Sequence, residues 1–258
     1  MKKVLLNCIS LTVVFCMLFS FASCKKEPTE VPEDDLTVST KATTKPVEII
    51  DVPTGEEELT EMLNAAVEYI ELYCYNYTKN VNCKVSDVSL GSLSAVSNAA
   101  EAFRSIFGEK NITMNYSYNA SRDAFSDNFP SSGYTTEEVQ SVSAQQIEDK
   151  IVITATFPNE TNPTDDSGVL YRLCPDYQNT EDIKKALSEF GSSATSTSIN
   201  ASDITIKATI RAQDSGLEKL EVSYTQRYTL SGVTLVKLEG STVTGTAKTT
   251  VIYSGMDA

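Results

Sequence analysis

Histidine and tryptophan are both absent from this chain, and the first absence is the more restrictive. Without histidine there is no side chain whose ordinary titration falls near neutral pH. A histidine general base, a Ser-His or Cys-His nucleophile pair and a His-ligated metal site are therefore excluded. The sequence also lacks GxSxG, a P-loop, a GxGxxG turn after a strand, and CxxC, so no motif asks for a nucleotide, a cofactor or zinc. Positive charge is scarce: 21 Lys and Arg face 35 Asp and Glu, a formal net charge of −14. Such a surface repels polyanions at long range and favours solubility, and a nucleic-acid partner is not expected.

Cysteine is scarce where it would matter for folding. Of the six, Cys8, Cys16 and Cys24 fall at the N-terminus, which leaves Cys74, Cys83 and Cys174. Three thiols allow at most one intramolecular bridge. Cys74 and Cys83 are close enough in sequence to staple a helix end to the next strand, although spacing alone does not fix the Cβ geometry that a bridge needs.

What is present begins with a basic end, Met1-Lys2-Lys3, and an apolar run from Val4 to Phe21 that closes on Phe21-Ala22-Ser23-Cys24. A charged start, an apolar middle and small residues at a cut site make a secretory signal over residues 1–23. The last four residues resemble the lipobox of bacterial lipoproteins, with Phe21 where that family usually has Leu. The resemblance implies that Cys24 is the lipidated first residue of the mature chain. It places the protein on the extracytoplasmic face of the cell membrane, held by its N-terminal lipid. Losing Lys2 and Lys3 with the signal takes the formal charge from −14 to −16. Residues 24–53 are rich in Thr, Pro, Glu, Asp and Lys, without lasting periodicity, and read as a disordered tether. A flexible coil of that length spans on the order of 30 Å.

Residues 54–258 read as one domain. Thr54 and Glu57 resemble a capping box. Leu59, Met62, Leu63, Ala66, Ile70, Tyr73 and Tyr77 then predict an amphipathic helix of five or six turns. A strand is expected over 83–90, a helix over 93–107 stopped by Gly108, and a half-buried strand over 112–118 with Met114, Tyr116 and Tyr118 on one face. Two strands flank Glu148-Asp149-Lys150, a short strand is expected over 169–173, and a helix capped by Thr180 runs to Gly191. The last third alternates clearly. Ile204, Ile206, Ala208 and Ile210 lead to a turn at 214–216. Leu220, Val222, Tyr224, Tyr228 and Leu230 follow, with a second turn at Ser231-Gly232. A final strand over 243–253 puts Val251 and Tyr253 inside and Lys248 and Thr250 outside. Two acidic loops (Asp123, Asp127 and Asn128; Glu160, Asp165 and Asp166) supply oxygen donors of the kind calcium takes, but without EF-hand spacing. No metal site is expected.

The fold class is α+β: a long N-terminal helix and short helices packed on a curved antiparallel sheet, able to curl into a half-barrel. Lipobox, tether, helix and terminal meander together are similar to LolA/LppX-like carriers and related lipoproteins with a curved sheet. That resemblance implies a binding module for an apolar or amphiphilic, lipid-like ligand. Tyrosines offer an apolar ring with one hydroxyl, so the expected ligand surface joins Ile70, Tyr73 and Tyr77 of the first helix to Ile206, Ile210, Tyr224, Tyr228 and Tyr253 of the late strands. Two other readings stand beside it: a surface protein docking to an envelope protein or the cell wall without a small ligand, and an envelope-acting hydrolase. A lined void between helices and sheet would favour the ligand, and a filled core would favour docking.

Overall fold

A computed structural model of the chain describes residues 52–117, 128–164, 168–214, 216–235 and 238–257. The proposed signal, Cys24 and nearly all of the tether lie outside the described residues. So do Asp123, Asp127, Asp165 and Asp166 of the acidic loops.

Glu56, Glu57 and Glu58 place negative charge in the first turn of helix α1 (Glu56–Tyr73), where it complements the helix dipole. The N-cap is Gly55, without a side-chain cap, so the Thr54 capping box does not form. Leu59, Leu63, Ala66, Val67 and Ile70 recur at helical spacing and are buried. The helix stops earlier than its pattern predicts, because Cys74 turns the backbone into an extended conformation (φ −83°, ψ 136°). Tyr77 therefore belongs to strand β1 (Asn76–Ser89), where Tyr77, Lys79, Val81, Cys83 and Val85 alternate inward. Pairing with two neighbours fixes β1 as an interior strand, so tertiary context overrides the local helical spacing. Val52, which the sequence reading assigns to the tether, is half-buried against the core beneath α1.

The helix expected over 93–107 is two elements. A 3₁₀ turn (Gly91–Ala95) and helix α2 (Ala99–Ile106) are separated by Asn98 at φ 64°, a left-handed conformation that Asn tolerates better than most residues. The remaining elements are β2 (Lys110–Ser117), β3 (Ser141–Ile147), β4 (Lys150–Thr156), β5 (Glu160–Thr161), α3 (Val169–Leu173), α4 (Thr180–Glu189), β6 (Ser192–Ser193), β7 (Ser196–Arg211), β8 (Leu217–Leu235) and β9 (Leu238–Asp257). The expected strand over 169–173 is thus helix α3. Its Leu170 and Leu173 are buried three residues apart on one side, and Glu160 Oε1 accepts from the Val169 and Leu170 amides at 2.6 and 3.3 Å. Asn179, not Thr180, caps α4. Its side-chain oxygen accepts from the amides of Glu181 and Asp182, and the Asp182 carboxylate accepts from the Asn179 amide.

These elements make a mixed α and β fold on one open, nine-stranded antiparallel sheet, ordered β2-β1-β9-β8-β7-β4-β3, with β5 beside β7 and β6 beside β8. Ser231-Gly232 is not a turn. Gly232 (φ 60°) sits at a register shift inside β8, where the inward positions change from even (Tyr228, Leu230) to odd (Val233). Asp203 (φ 56°) does the same in β7, between Ala201 and Ile204. Each bulge inserts one residue and keeps apolar side chains on the same face.

The inward face carries two apolar clusters. The first gathers α1, α3, Phe129 and Tyr134 over Ile153, Ile206, Val222 and Tyr253. The second gathers Leu93, α2 and α4 over Val85, Ile199, Leu230 and Val243. Cys74, Cys83 and Cys174 are buried and unbridged, so the Cys74–Cys83 staple is not formed. Cys74 lies in the first cluster and Cys83 in the second. Among the described residues, no helix is long and apolar enough to cross a membrane.

Candidate functional site

Where the two clusters meet, the inward face of the sheet turns polar. Lys79 of β1, Gln226 of β8 and Thr249 of β9 all point inward and are buried. Over them lies the segment Cys174–Asn179 between α3 and α4. Lys79 Nζ donates to the Asp176 carboxylate and to the Asn128 carbonyl at 3.1 Å, and stands 5.6 Å from the Tyr253 ring centroid. Gln226 Nε2 donates to the Gln178 carbonyl at 2.8 Å, and Tyr228 Oη donates to Gln226 Oε1 at 2.8 Å. Gln178 Nε2 reaches the Ile106 carbonyl at 3.2 Å, and Cys174 Sγ lies 3.7 Å from Tyr224 Oη. Several hydrogen bonds and one ion pair therefore hold this segment against the sheet.

The seam encloses a crevice of about 10 Å³, lined by Val81, Cys83, Phe107, Cys174, Tyr224 and Thr249 among others. That is room for about one water molecule. Burial raises the Cys83 thiol above its ordinary value, against the hydrogen bond from Thr249, and raises Cys174 likewise. A thiol held protonated is a poor nucleophile. The seam pins the loop against the sheet.

The ligand surface expected from the sequence falls around this seam. Ile70, Tyr77, Ile206, Ile210, Tyr224 and Tyr253 come together in the first cluster, Tyr228 belongs to the second, and Tyr73 ends α1 with its side chain outside the described residues. Tyr77, Tyr228 and Tyr253 face other aromatic rings. Tyr77 stacks on Tyr116 at 4.8 Å, Phe129 meets Tyr253 edge-on at 4.8 Å, and Tyr228 stacks on Phe107 at 4.6 Å. Burial raises the phenol pKa of Tyr77, Tyr224, Tyr228 and Tyr253. Helical spacing that runs on to Tyr77 hides Lys79 from the sequence. Extending the alternation of Val85, Cys83 and Val81 backwards places Lys79 on the inward face.

The opposite face of the sheet is different. Asn80, Asn82, Lys84 and Ser86 of β1, Asn111 of β2, and Lys248, Thr250 and Ile252 of β9 line an open groove of about 650 Å³. Lys84 and Lys248 are direct cross-strand partners and both are exposed. Like charges placed directly opposite destabilise a sheet, so this pair has no evident structural reason. Thr225 of β8 pairs with Lys248, and Arg227, two residues on, is exposed on the same face. Among the described residues, no ion pair includes Lys84, Arg227 or Lys248.

Comparison with known proteins finds no matching family model, no matching curated protein and no matching solved structure. The residues themselves carry the argument.

Proposed function

We propose that this chain is a membrane-tethered, extracytoplasmic docking module that meets an envelope partner through the outer face of its sheet. In this reading Cys24 carries the lipid, residues 24–53 hold the folded part off the membrane, and no small ligand is enclosed. The observation that carries it is the contrast between the two faces of the sheet. Small-molecule sites commonly need ~300 Å³ or more of concave space. The inward crevice offers about 10 Å³, because Ile70, Tyr77, Ile206, Tyr224 and Tyr253 fill the room between helices and sheet themselves. The outer groove, at about 650 Å³, is open and lined mainly by Asn, Lys, Ser and Thr, which suits a partner laid across it. A carrier for a lipid-like ligand would need the helices to lift from the sheet.

Photo-crosslinking in cells tests the proposal. A photoreactive residue at Asn82, on the outer face, is compared with one at Lys185, exposed on α4. Crosslinked envelope material is expected from Asn82 and not from Lys185. Equal yields from both, or none from Asn82, would overturn the outer face as the docking surface. A lipid retained by the gently purified protein in native mass spectrometry would restore the enclosed-ligand reading.

A further inference from the structure

We infer that the partner of the outer face is an extended, phosphate-linked and hydroxyl-rich polymer, seated on Lys84, Lys248 and Arg227. The inference rests on the docking reading above and names the chemistry of the occupant. Its first support is charge. In a chain of net charge −14, three exposed cations that form no ion pair among the described residues lie together on three adjacent interior strands, β1, β9 and β8. Direct cross-strand partners have Cα atoms ~5 Å apart and diagonal neighbours ~7–8 Å apart, so the ammonium groups of Lys84 and Lys248 can share one oxyanion, with Arg227 within reach of the next. Carboxylates lie beside the patch, with Glu109 at the position next to Lys84 because Lys110 pairs with Cys83, yet among the described residues none forms an ion pair with the three cations. Asp87 accepts from Ser86 Oγ at 2.9 Å, Glu109 is exposed just before β2, and Glu221 farther along β8 is held by Lys219 at 2.8 Å.

The second support is the company these cations keep. Asn80, Asn82, Asn111 and Thr250 supply amides and a hydroxyl that both donate and accept, which matches hydroxylated links between phosphates. A folded protein partner would want apolar anchors and pockets for them, and Ile252 is the single apolar residue lining the groove. An extended peptide cannot add as a strand here, because β1, β8 and β9 are paired on both sides.

The rest of the molecule fixes the orientation. Glu56, Glu57, Glu58, Glu61 and Glu68 lie on α1, which packs on the inward face. An approaching polyanion is repelled there and admitted only on the outer face. At physiological ionic strength charges are screened within ~8 Å, so the local patch outweighs the distant acids, and binding must weaken with salt.

The test uses the full chain purified in neutral detergent, with long-chain inorganic polyphosphate as the probe, followed by fluorescence anisotropy. Expected are saturable binding at low salt and loss of affinity of about tenfold or more in K84E/K248E, while K84R/K248R keeps it. Circular dichroism must show each variant folded, and K84Q/K248Q is read instead where the reversal unfolds the sheet. No binding by the wild type, or equal binding by folded K84E/K248E, overturns the inference. So does tighter capture of poly-glutamate, which would point to an acidic protein, or of anionic vesicles, which would point to the membrane. If the Asn82 crosslink persists while polyphosphate fails, the docking face stands and its phosphate chemistry falls.

Discussion

Lys79 and Asp176 are joined by an ion pair whose two ends see different surroundings: the lysine side chain is 0% exposed and the aspartate 32%. Losing one partner of a buried pair is costly chiefly because of the charge left behind. Here the charge left behind differs with the partner removed. Asp176→Asn strands an ammonium in the core and is expected to destabilise by about 3 kcal/mol or more. Lys79→Met leaves a carboxylate that water already reaches, and fills the site with a side chain of similar length. It is expected to cost under about 1.5 kcal/mol. Urea denaturation of the two variants measures the difference. Equal losses would show that Asp176 has no better access to water than Lys79.

The buried tyrosines predict an alkaline limit to stability. Burial raises Tyr77, Tyr134, Tyr224, Tyr228 and Tyr253 above the ordinary phenol value of 10.0. Above that pH the unfolded chain loses phenolic protons that the folded chain keeps. The unfolded state then binds fewer protons, and stability falls as pH rises; below that pH the contribution is fully present. Tyrosinate absorbance should therefore rise in two parts: a gradual one from exposed rings, and a steep one coincident with loss of circular dichroism. A single gradual titration with the fold intact would show that these hydroxyls are open to solvent.

The proposed lipid anchor is tested at one residue. Metabolic labelling with a fatty-acid probe should mark the wild type, and Cys24→Ala should remain unlabelled and either unprocessed or shed. Equal labelling of both would remove the lipoprotein assignment, and with it the membrane tether.

Sequence periodicity was informative where strands are flanked by turns and face the core with unbroken alternation. Ile204 to Ile210 and Leu220 to Leu230 read correctly for that reason. It misled where one face is kept by an inserted residue. Gly232 looks like turn chemistry, yet it is a bulge in a strand that runs on to Leu235. It misled again at 169–173, where a short, mostly apolar run fits a strand by length, while Leu170 and Leu173, three apart, share a face only on a helix. The inward seam was half legible: its tyrosines were found, but Gln178 and Asp176 come from a loop that no pattern places over the sheet. The basic patch was invisible because Lys84, Arg227 and Lys248 are distant in sequence, and only strand order makes them neighbours.

The two longest strands, β8 and β9, are 19 and 20 residues long, roughly 60 Å at the usual rise per residue. Each passes beneath both apolar clusters. Leu220 and Val222 belong to the first and Leu230 and Val233 to the second, as Val251 and Val243 do on β9. Neither cluster can therefore open by itself without pulling register from the other, so the two behave as one cooperative unit. Fluctuations that release part of the molecule must instead begin at elements bound to one cluster alone, α2 with α4 on one side and α1 with α3 on the other, leaving the four-strand span from β1 to β7 as the last part to exchange its amide protons.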